Sequence, residues 1–567
     1  MKKFAFCCII CIFIIKRSRP GYMRTRIFIL MILCLLLSSC GINKNIGNKE
    51  NDAIIVNNEN SNILNLGIES INTLNPVFTT SASVYQSMQL VFEPLFSFDE
   101  ALNPIGVLAQ SCVASEDGYR YTIKLKEDVK WHDGSKLLAG DVLHTINLIR
   151  FNETPFTQQI SCISSVSTVD NYTLVIGVLR PVPNFTALLS FPIVKQSVTT
   201  ENLQDYVPIG TGPYKYDGKI TSGKIKLSVN ENWKGTSPAI REIHLNVLKD
   251  KNSLAEAFNA SEIDIITSGE MNLNINTPRG EITTCDYISN NMVFLGINNE
   301  SSILSGANTR KALSYLIDKR DIVTTEIFSR GEAVDFPVNP SAWYYPKVTA
   351  LVYDAEYITE VLALDGWKRN ENNVFIREKQ KSSDNSEEPI MAKEVLKIDI
   401  IVNDNNDERL RVASKIGDIF NNFGIETEIT VLGFEDYSHR INEKNYQLFI
   451  GELIMPFNMD QYSLLCAGDN YFSYKPKAIN DAVYRLGTAN STEETKDAFS
   501  QYMKVFNDEM PFIPLFFRKE SVISEKALSG TSMPTMFNVY NNPQNWYLSK
   551  KSIQTENMNN PDESERK

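Results

Sequence analysis

Residues 396–429 read LKIDIIVNDNNDERLRVASKIGDIFNNFGIETEI. Leu396, Ile398, Ile400 and Val402 fall on alternate positions, the period of a half-buried strand. Val412, Ala413, Ile416, Ile419, Phe420 and Phe423 then share one face of a helix. Gly424 stands where a left-handed C-cap is expected. Ile425, Thr427 and Ile429 alternate again. Strand, helix and strand at this length predict a right-handed parallel crossover, and with it an α/β fold. Alternation recurs at Ile225, Leu227 and Val229 and at Ile243, Leu245 and Val247, so more than one sheet is expected.

The 567 residues exceed what one core organises, so two or more domains are expected. A hydrophobic content of 43% with 10% aromatics describes a globular chain. The formal charge is -12, but the first 39 residues hold seven Lys or Arg and no acid. The remainder carries 49 basic against 68 acidic residues, a balance of -19. A surface that acidic argues against nucleic acid and for a soluble, monomer-like body.

Two apolar runs, 4–15 and 27–37, are 12 and 11 residues long, too short to span a bilayer. The second follows Arg24 and Arg26 and ends in LSSC, which reads as a secretory signal over 1–39. The redundant first run makes Met23 a candidate true start. Cys40 at the cut resembles the lipobox of bacterial lipoproteins, which implies lipidation there. Residues 40–61 then form the lipidated Cys and a flexible tether, and 551–567 a disordered tail. A polar island at 377–389 reads as a long surface loop. Cys112, Cys162, Cys285 and Cys466 are 50, 123 and 181 residues apart, without the close spacing of a zinc site. Export permits disulfides among them, and free thiols are the equal or better reading.

The stretch VKWHDGSKLLAGDVLHT, 129–145, sets two acid–histidine groupings side by side. Only four histidines exist in the chain, and adjacent residues such as His132 and Asp133 point apart along an extended backbone. No nucleophile signature accompanies them. We expect no metal, no cofactor and no catalytic residues. Asp133-Gly134 marks a turn between a strand at Tyr121–Leu125 and a helix carrying Val142, Leu143, Ile146 and Ile149. Trp131 is expected to fill a core beneath that turn, and Asp141 to favour the helix N-terminus.

The same region carries a family resemblance. SEDGYRYTIKLKEDVKWHDGSKLLAGDV (115–142) resembles a segment of the family 5 extracellular solute-binding proteins of ABC importers, the oligopeptide, dipeptide and nickel type. Leu138 stands where that family favours Thr. Five further blocks follow in family order: 69–96, PIGTGPYKY (208–216), VNENWKG (229–235), TRKALSYLIDKRDIV (309–323) and YDAEYITEVLALDGW (353–367). The resemblance implies a two-lobed, periplasmic-binding-protein-like (type II) α/β fold with an extra subdomain in lobe one. Lobe one would take in 62–298 and 510–550, and lobe two 299–509.

In the peptide-binding members an acid of lobe two holds the ammonium end, in a block resembling Gly-Trp-x-x-Asp-x-Pro-Asp-Pro. The matching stretch here is FIGELIMPFNMDQYSLL, 449–465. With Pro456 aligned to the first Pro, Ile454 replaces the Asp. Glu452 and Asp460 are the candidate substitutes, with Phe457 beside them. On lobe one, Thr79, Thr80, Ser81 and Ser83 fall in a cleft-lining block, and would otherwise cap a helix starting near Val84. The reading is a lipid-anchored binding protein on the extracytoplasmic face of the cell membrane. It would capture peptides and deliver them to ABC permease subunits. Oligosaccharide or chelated nickel as solute, a non-transporting peptide receptor, and a secreted enzyme are the alternatives.

Overall fold

Two long strands, Ile282–Ile297 and Phe512–Glu525, pair antiparallel in the middle of the largest sheet. The structure is a computed structural model. It describes residues 62–548 apart from 200–202, 222, 269–281, 346–354, 382–389 and positions 459, 476, 490 and 526. The signal segment, Cys40, the tether and the tail lie outside the described residues.

Among the described residues the large sheet has eleven strands. On one side of the long pair lie Leu448–Ile454, Lys397–Asn403 and Glu426–Leu432, and on the other Ile265–Ser268, Ile63–Ile68, Glu242–Val247, Lys224–Val229 and Tyr214–Thr221. Gly331–Ala333 pairs with the second long strand. The crossover expected at 396–429 is present: Lys397–Asn403 and Glu426–Leu432 run parallel, joined by the Asp407–Phe423 helix. Asn406 caps that helix by accepting from the Arg409 N–H at 3.0 Å. Gly424 ends it at φ 94°, and a Cβ there would sit 2.2 Å from the Asn373 carbonyl oxygen. Conformation and space both demand glycine.

The buried side chains form two main cores. One holds Leu64, Leu66, Ile243 and Leu245 with Tyr287 and Val522; the other holds Ile398, Ile400, Val412 and Phe420 with Met292–Ile297 and Phe512–Phe517 residues. The long strands thus pass from one core to the other between Tyr287 and Met292, and between Phe517 and Val522.

A separate four-stranded antiparallel sheet runs in the order Ala109–Ala114, Arg120–Leu125, Thr173–Val178, Ile163–Thr168. The Ala139–Phe151 helix packs on it through Val142, Ile146 and Ile149. Trp131 is fully buried and its indole N–H donates to the Asp141 carboxylate at 3.3 Å. That carboxylate also accepts from the Leu138 N–H at 3.0 Å and the Gln196 N–H at 2.8 Å. Asp141 therefore satisfies a helix-end amide, the work that a Thr side chain at 138 would have shared. His132 accepts from the Gly210 N–H at 3.1 Å, and its other ring nitrogen faces the Gly212 carbonyl at 3.2 Å. The ring pins the Gly-Thr-Gly turn to the Asp-Gly turn. Burial pushes the His132 pKa down to about 4. Gly210 admits no side chain, since a Cβ would lie 1.8 Å from the Val91 carbonyl oxygen.

One expectation is corrected. The polar island at 377–389 is not all loop, because Phe375–Lys381 is a strand paired with Ile390–Val395. Phe375 anchors it in the core, and past that residue its charges hold it. The Arg377 guanidinium lies 4.2 Å from the Trp367 ring centroid and 2.6 Å from the Glu394 carboxylate. Such a strand carries no apolar alternation to read. The four cysteines are free thiols, and burial raises Cys112 and Cys466 to about 12 and Cys162 to about 11.

Candidate ligand-binding site

The pairing of the two long strands shifts register twice, at 288–292 and again between Val293 and Phe294, and the first shift is the larger. Register runs from Ile282↔Glu525 to Ile288↔Lys519 and resumes at Met292↔Phe517. Ser289, Asn290 and Asn291 therefore stand opposite Arg518 alone, a bulge of the kind that re-aims side chains. It is built rather than frayed. Asn290 exchanges two hydrogen bonds with the Met455 backbone, at 2.9 and 3.1 Å, and the Ser289 hydroxyl donates to the Arg518 carbonyl at 3.1 Å. The Asn339 amide caps the Ser289 carbonyl at 3.2 Å.

A cavity of about 200 Å³ opens at this bulge. Tyr85, Gln86 and Gln89 enter it from the Ala82–Met88 helix and its C-cap. Tyr287, Asn290, Asn291 and Glu520 come from the long strands, Ile454 and Phe457 from the end of Leu448–Ile454 and beyond, and Met536 and Val539 from the C-terminal segment. Ile454 is 74% exposed, an apolar side chain held out at the cavity rim. Phe457 packs on Phe537, which in turn stacks on Phe98 at 4.1 Å. Among the described residues the lining combines apolar side chains with amides and phenols and a single carboxylate.

The expected acids sit elsewhere. Glu452 accepts from Arg518 at 2.5 and 3.0 Å and from Arg409 at 3.0 Å. Arg518 also pairs with Glu408 at 2.7 Å, and Arg330 lies 3.6 Å from Glu408. Burial works to raise the Glu452 pKa, but the two arginines hold it below its ordinary value. Asp460 is paired with Arg180, whose guanidinium lies 4.1 Å from the Tyr462 ring centroid. Neither acid lines the cavity.

The polar lobe-one candidates form their own net. Thr79 is buried and donates to Asn72 at 2.9 Å; Asn72 donates to Thr80 at 3.3 Å; Ser83 accepts from the Glu69 N–H at 2.9 Å. Ser81 is the N-cap residue of the Ala82–Met88 helix, without a side-chain capping bond. Ala82, between them, reaches the cavity.

Glu520 is the residue that sequence reasoning missed. It stands directly opposite Tyr287 in the ladder, and the phenol donates to its carboxylate at 2.5 Å. The available signal was the charged run Arg518, Lys519, Glu520 interrupting the apolar residues of its strand. Burial raises its pKa, against the Tyr287 hydrogen bond and the more distant charges of Arg518 and Lys251. His132 and His144 both have ring nitrogens engaged by backbone groups, the latter with the Val198 carbonyl at 2.8 Å. Among the described residues no group of three or more His, Cys, Asp or Glu is arranged to hold a metal ion.

Comparison with known proteins agrees with this layout. The family described as bacterial extracellular solute-binding proteins, family 5, matches residues 103–471, more than half of the chain. The chain belongs to that family. The oligopeptide-binding protein AppA of Bacillus subtilis is 22% identical over 573 residues, spanning 94% of this chain and all of that protein. Its solved structure in complex with a nonapeptide gives a TM-score of 0.57 at 20% identity, covering 86% of this chain and 99% of that one. The unliganded open form of the periplasmic murein tripeptide binding protein MppA gives 0.73 at 17% identity, covering 87% and 98%. The fold is accordingly the two-lobed type II periplasmic-binding-protein fold, a mixed α/β body around one large sheet. Membership places the chain among extracytoplasmic solute-binding components of ABC importers.

Proposed function

We propose that this protein captures peptides in the cavity at the 289–291 bulge and delivers them to ABC permease subunits. Lipid on Cys40 would hold it, as a monomer, at the extracytoplasmic face of the membrane. The observation that carries the reading is the cavity itself. Side chains from both hydrophobic cores line it, and it sits where the two long strands pass from one core to the other. A solute there bridges both bodies, so binding is coupled to their closure. Lobes of 62–298 with 510–550 and of 299–509 go with this reading; the two cores follow those bounds except at Met292–Ile297 and Phe512–Phe517, which pack into the second core. The amides and phenols of Gln86, Gln89, Asn290 and Tyr287 suit the donors and acceptors of a peptide backbone, and Ile454 and Phe457 suit apolar side chains. Catalysis is not part of the proposal.

The test is direct. Small molecules released by denaturing the purified protein are identified by mass spectrometry, and a mixed peptide library is titrated calorimetrically. Co-purified peptides and saturable binding support the reading. An oligosaccharide or a nickel chelate in their place would replace the solute and leave the importer role. A permease-deletion strain that loses uptake of the same solute separates transport from sensing.

A further inference from the structure

We propose that Glu520, oriented by Tyr287, is the anchor for a primary ammonium group of the bound solute. This rests on the peptide reading above and names the end of the peptide that is recognised.

Three independent observations converge. Among the described residues lining the cavity, Glu520 is the only carboxylate, and none is Lys, Arg or His. Among the described residues Glu520 is in no ion pair, and its hydrogen bond from Tyr287 engages one oxygen only. The other acids of this region are spent on arginines: Glu452 on Arg518 and Arg409, Asp460 on Arg180. A half-buried carboxylate with one free oxygen, on which Arg518 and Lys251 act only from a distance, is a site that a cation in direct contact completes, because a charge without a close partner in such surroundings is costly.

The second observation is Gln89. Its amide nitrogen donates to the Phe537 carbonyl at 2.6 Å, which turns its oxygen the other way. That oxygen is buried and has no hydrogen-bond partner among the described residues. A buried acceptor left over in the same cavity calls for a donor from the solute. An ammonium brings three donors, enough for Glu520, for Gln89 and for one more acceptor. The third observation is the rigidity of the carboxylate. Tyr287 and Glu520 are cross-strand partners just before the bulge, so the anchor is fixed by the sheet and not by a loop. The upward pull of burial on the Glu520 pKa fits a carboxylate awaiting its counter-charge.

The experiment titrates wild type, Glu520→Gln and Tyr287→Phe calorimetrically with three probes. The first is a mixed peptide library free of Lys and Arg. The second is its N-acetylated twin. The third is an N-acetylated library in which one position is Lys. Acetylation is expected to weaken binding to wild type on the order of 30-fold or more, the usual scale for a stranded partner of a buried charge. Glu520→Gln should lose as much for the free library and become indifferent to acetylation. Tyr287→Phe should show a smaller loss of the same pattern. Recovery by the Lys-containing library in wild type, absent in Glu520→Gln, also supports the anchor and assigns it to a side-chain ammonium. Equal binding of all three libraries to wild type overturns the anchor and leaves the peptide reading standing. No binding of any library to wild type overturns both. The acetylation arm uses unaltered protein, so misfolding of a variant cannot hide the answer.

Discussion

Tyr287 and Glu520 face each other across the two central strands, and the phenol holds the carboxylate at 2.5 Å where the chain passes between its two cores. The pair has a consequence for stability as well as for binding. Burial, the largest influence on Glu520, raises its pKa in the folded protein. The folded state therefore binds the proton more tightly than the unfolded chain, and ionisation costs stability. That cost is absent below the ordinary carboxylate range and complete once the pH exceeds the raised value. Glu520→Gln keeps an acceptor for Tyr287 and removes the ionisation. The ligand-free variant is expected to match wild type in acid and to melt higher at neutral pH. A variant that melts lower at neutral pH would count against an unpaired Glu520.

Glu452 shows the opposite sign. Burial raises its pKa, yet Arg518 and Arg409 outweigh that and hold it low. Its contribution is present at neutral pH and is lost as pH falls through the depressed value. Glu452→Gln leaves Arg409 without a carboxylate and Arg518 with Glu408 alone, and is expected to cost about 3 kcal/mol at neutral pH, read by urea unfolding.

Asp460→Asn likewise strands Arg180. Since Glu452 and Asp460 do not line the cavity, peptide affinity of either folded variant should stay within about twofold of wild type. A large loss of affinity in Asp460→Asn, with stability intact, would restore Asp460 as the anchor.

The crossover at 396–429 was legible because its core is local: period-two and period-3.6 apolar spacing with a glycine stop need no distant partner. Trp131 and Asp141 were legible for the same reason, ten residues apart across one turn. The strand at Phe375–Lys381 was not, because beyond the buried Phe375 it is held by cation–π and ion-pair contacts and not by an alternating apolar face. Glu520 was hidden for a different reason. Its role depends on which acids the arginines claim, and Arg180, Arg409 and Arg518 lie 280, 43 and 66 residues from the acids they pair with. The block 449–465 supplies Ile454 and Phe457 to the cavity lining. The carboxylate arrives on another strand, from beyond residue 510.

Cys40 lies outside the described residues, and its lipidation is open to test. Cys40→Ser should release the protein to the medium or leave it as uncleaved precursor, since buried acyl chains contribute about 0.8 kcal/mol per CH₂. Fractionation followed by intact-mass measurement reads the outcome. Tight membrane retention of a cleaved Cys40→Ser protein would remove the lipid anchor from the proposal.

The Trp131–His132 pair separates packing from titration. Trp131 is fully buried, so Trp131→Ala should cost about 3–5 kcal/mol with little dependence on pH. His132 is different, because burial takes its pKa from 6.5 down to about 4. Between those values the unfolded chain binds the proton and the folded chain does not, so stability rises with pH. The full contribution is present above pH 6.5 and is lost as pH falls toward 4; a difference of that size corresponds to roughly 3 kcal/mol. His132→Gln removes that titration. It should cost about 1–2 kcal/mol at neutral pH, from the hydrogen bonds to Gly210 and Gly212, and the gap to wild type should shrink in acid. Peptide affinity should be unchanged, since neither residue lines the cavity. Thermal melts from neutral to acid pH, with metal analysis of both proteins, decide the matter. Stoichiometric metal in wild type that is missing from His132→Gln would overturn the structural role given to this histidine.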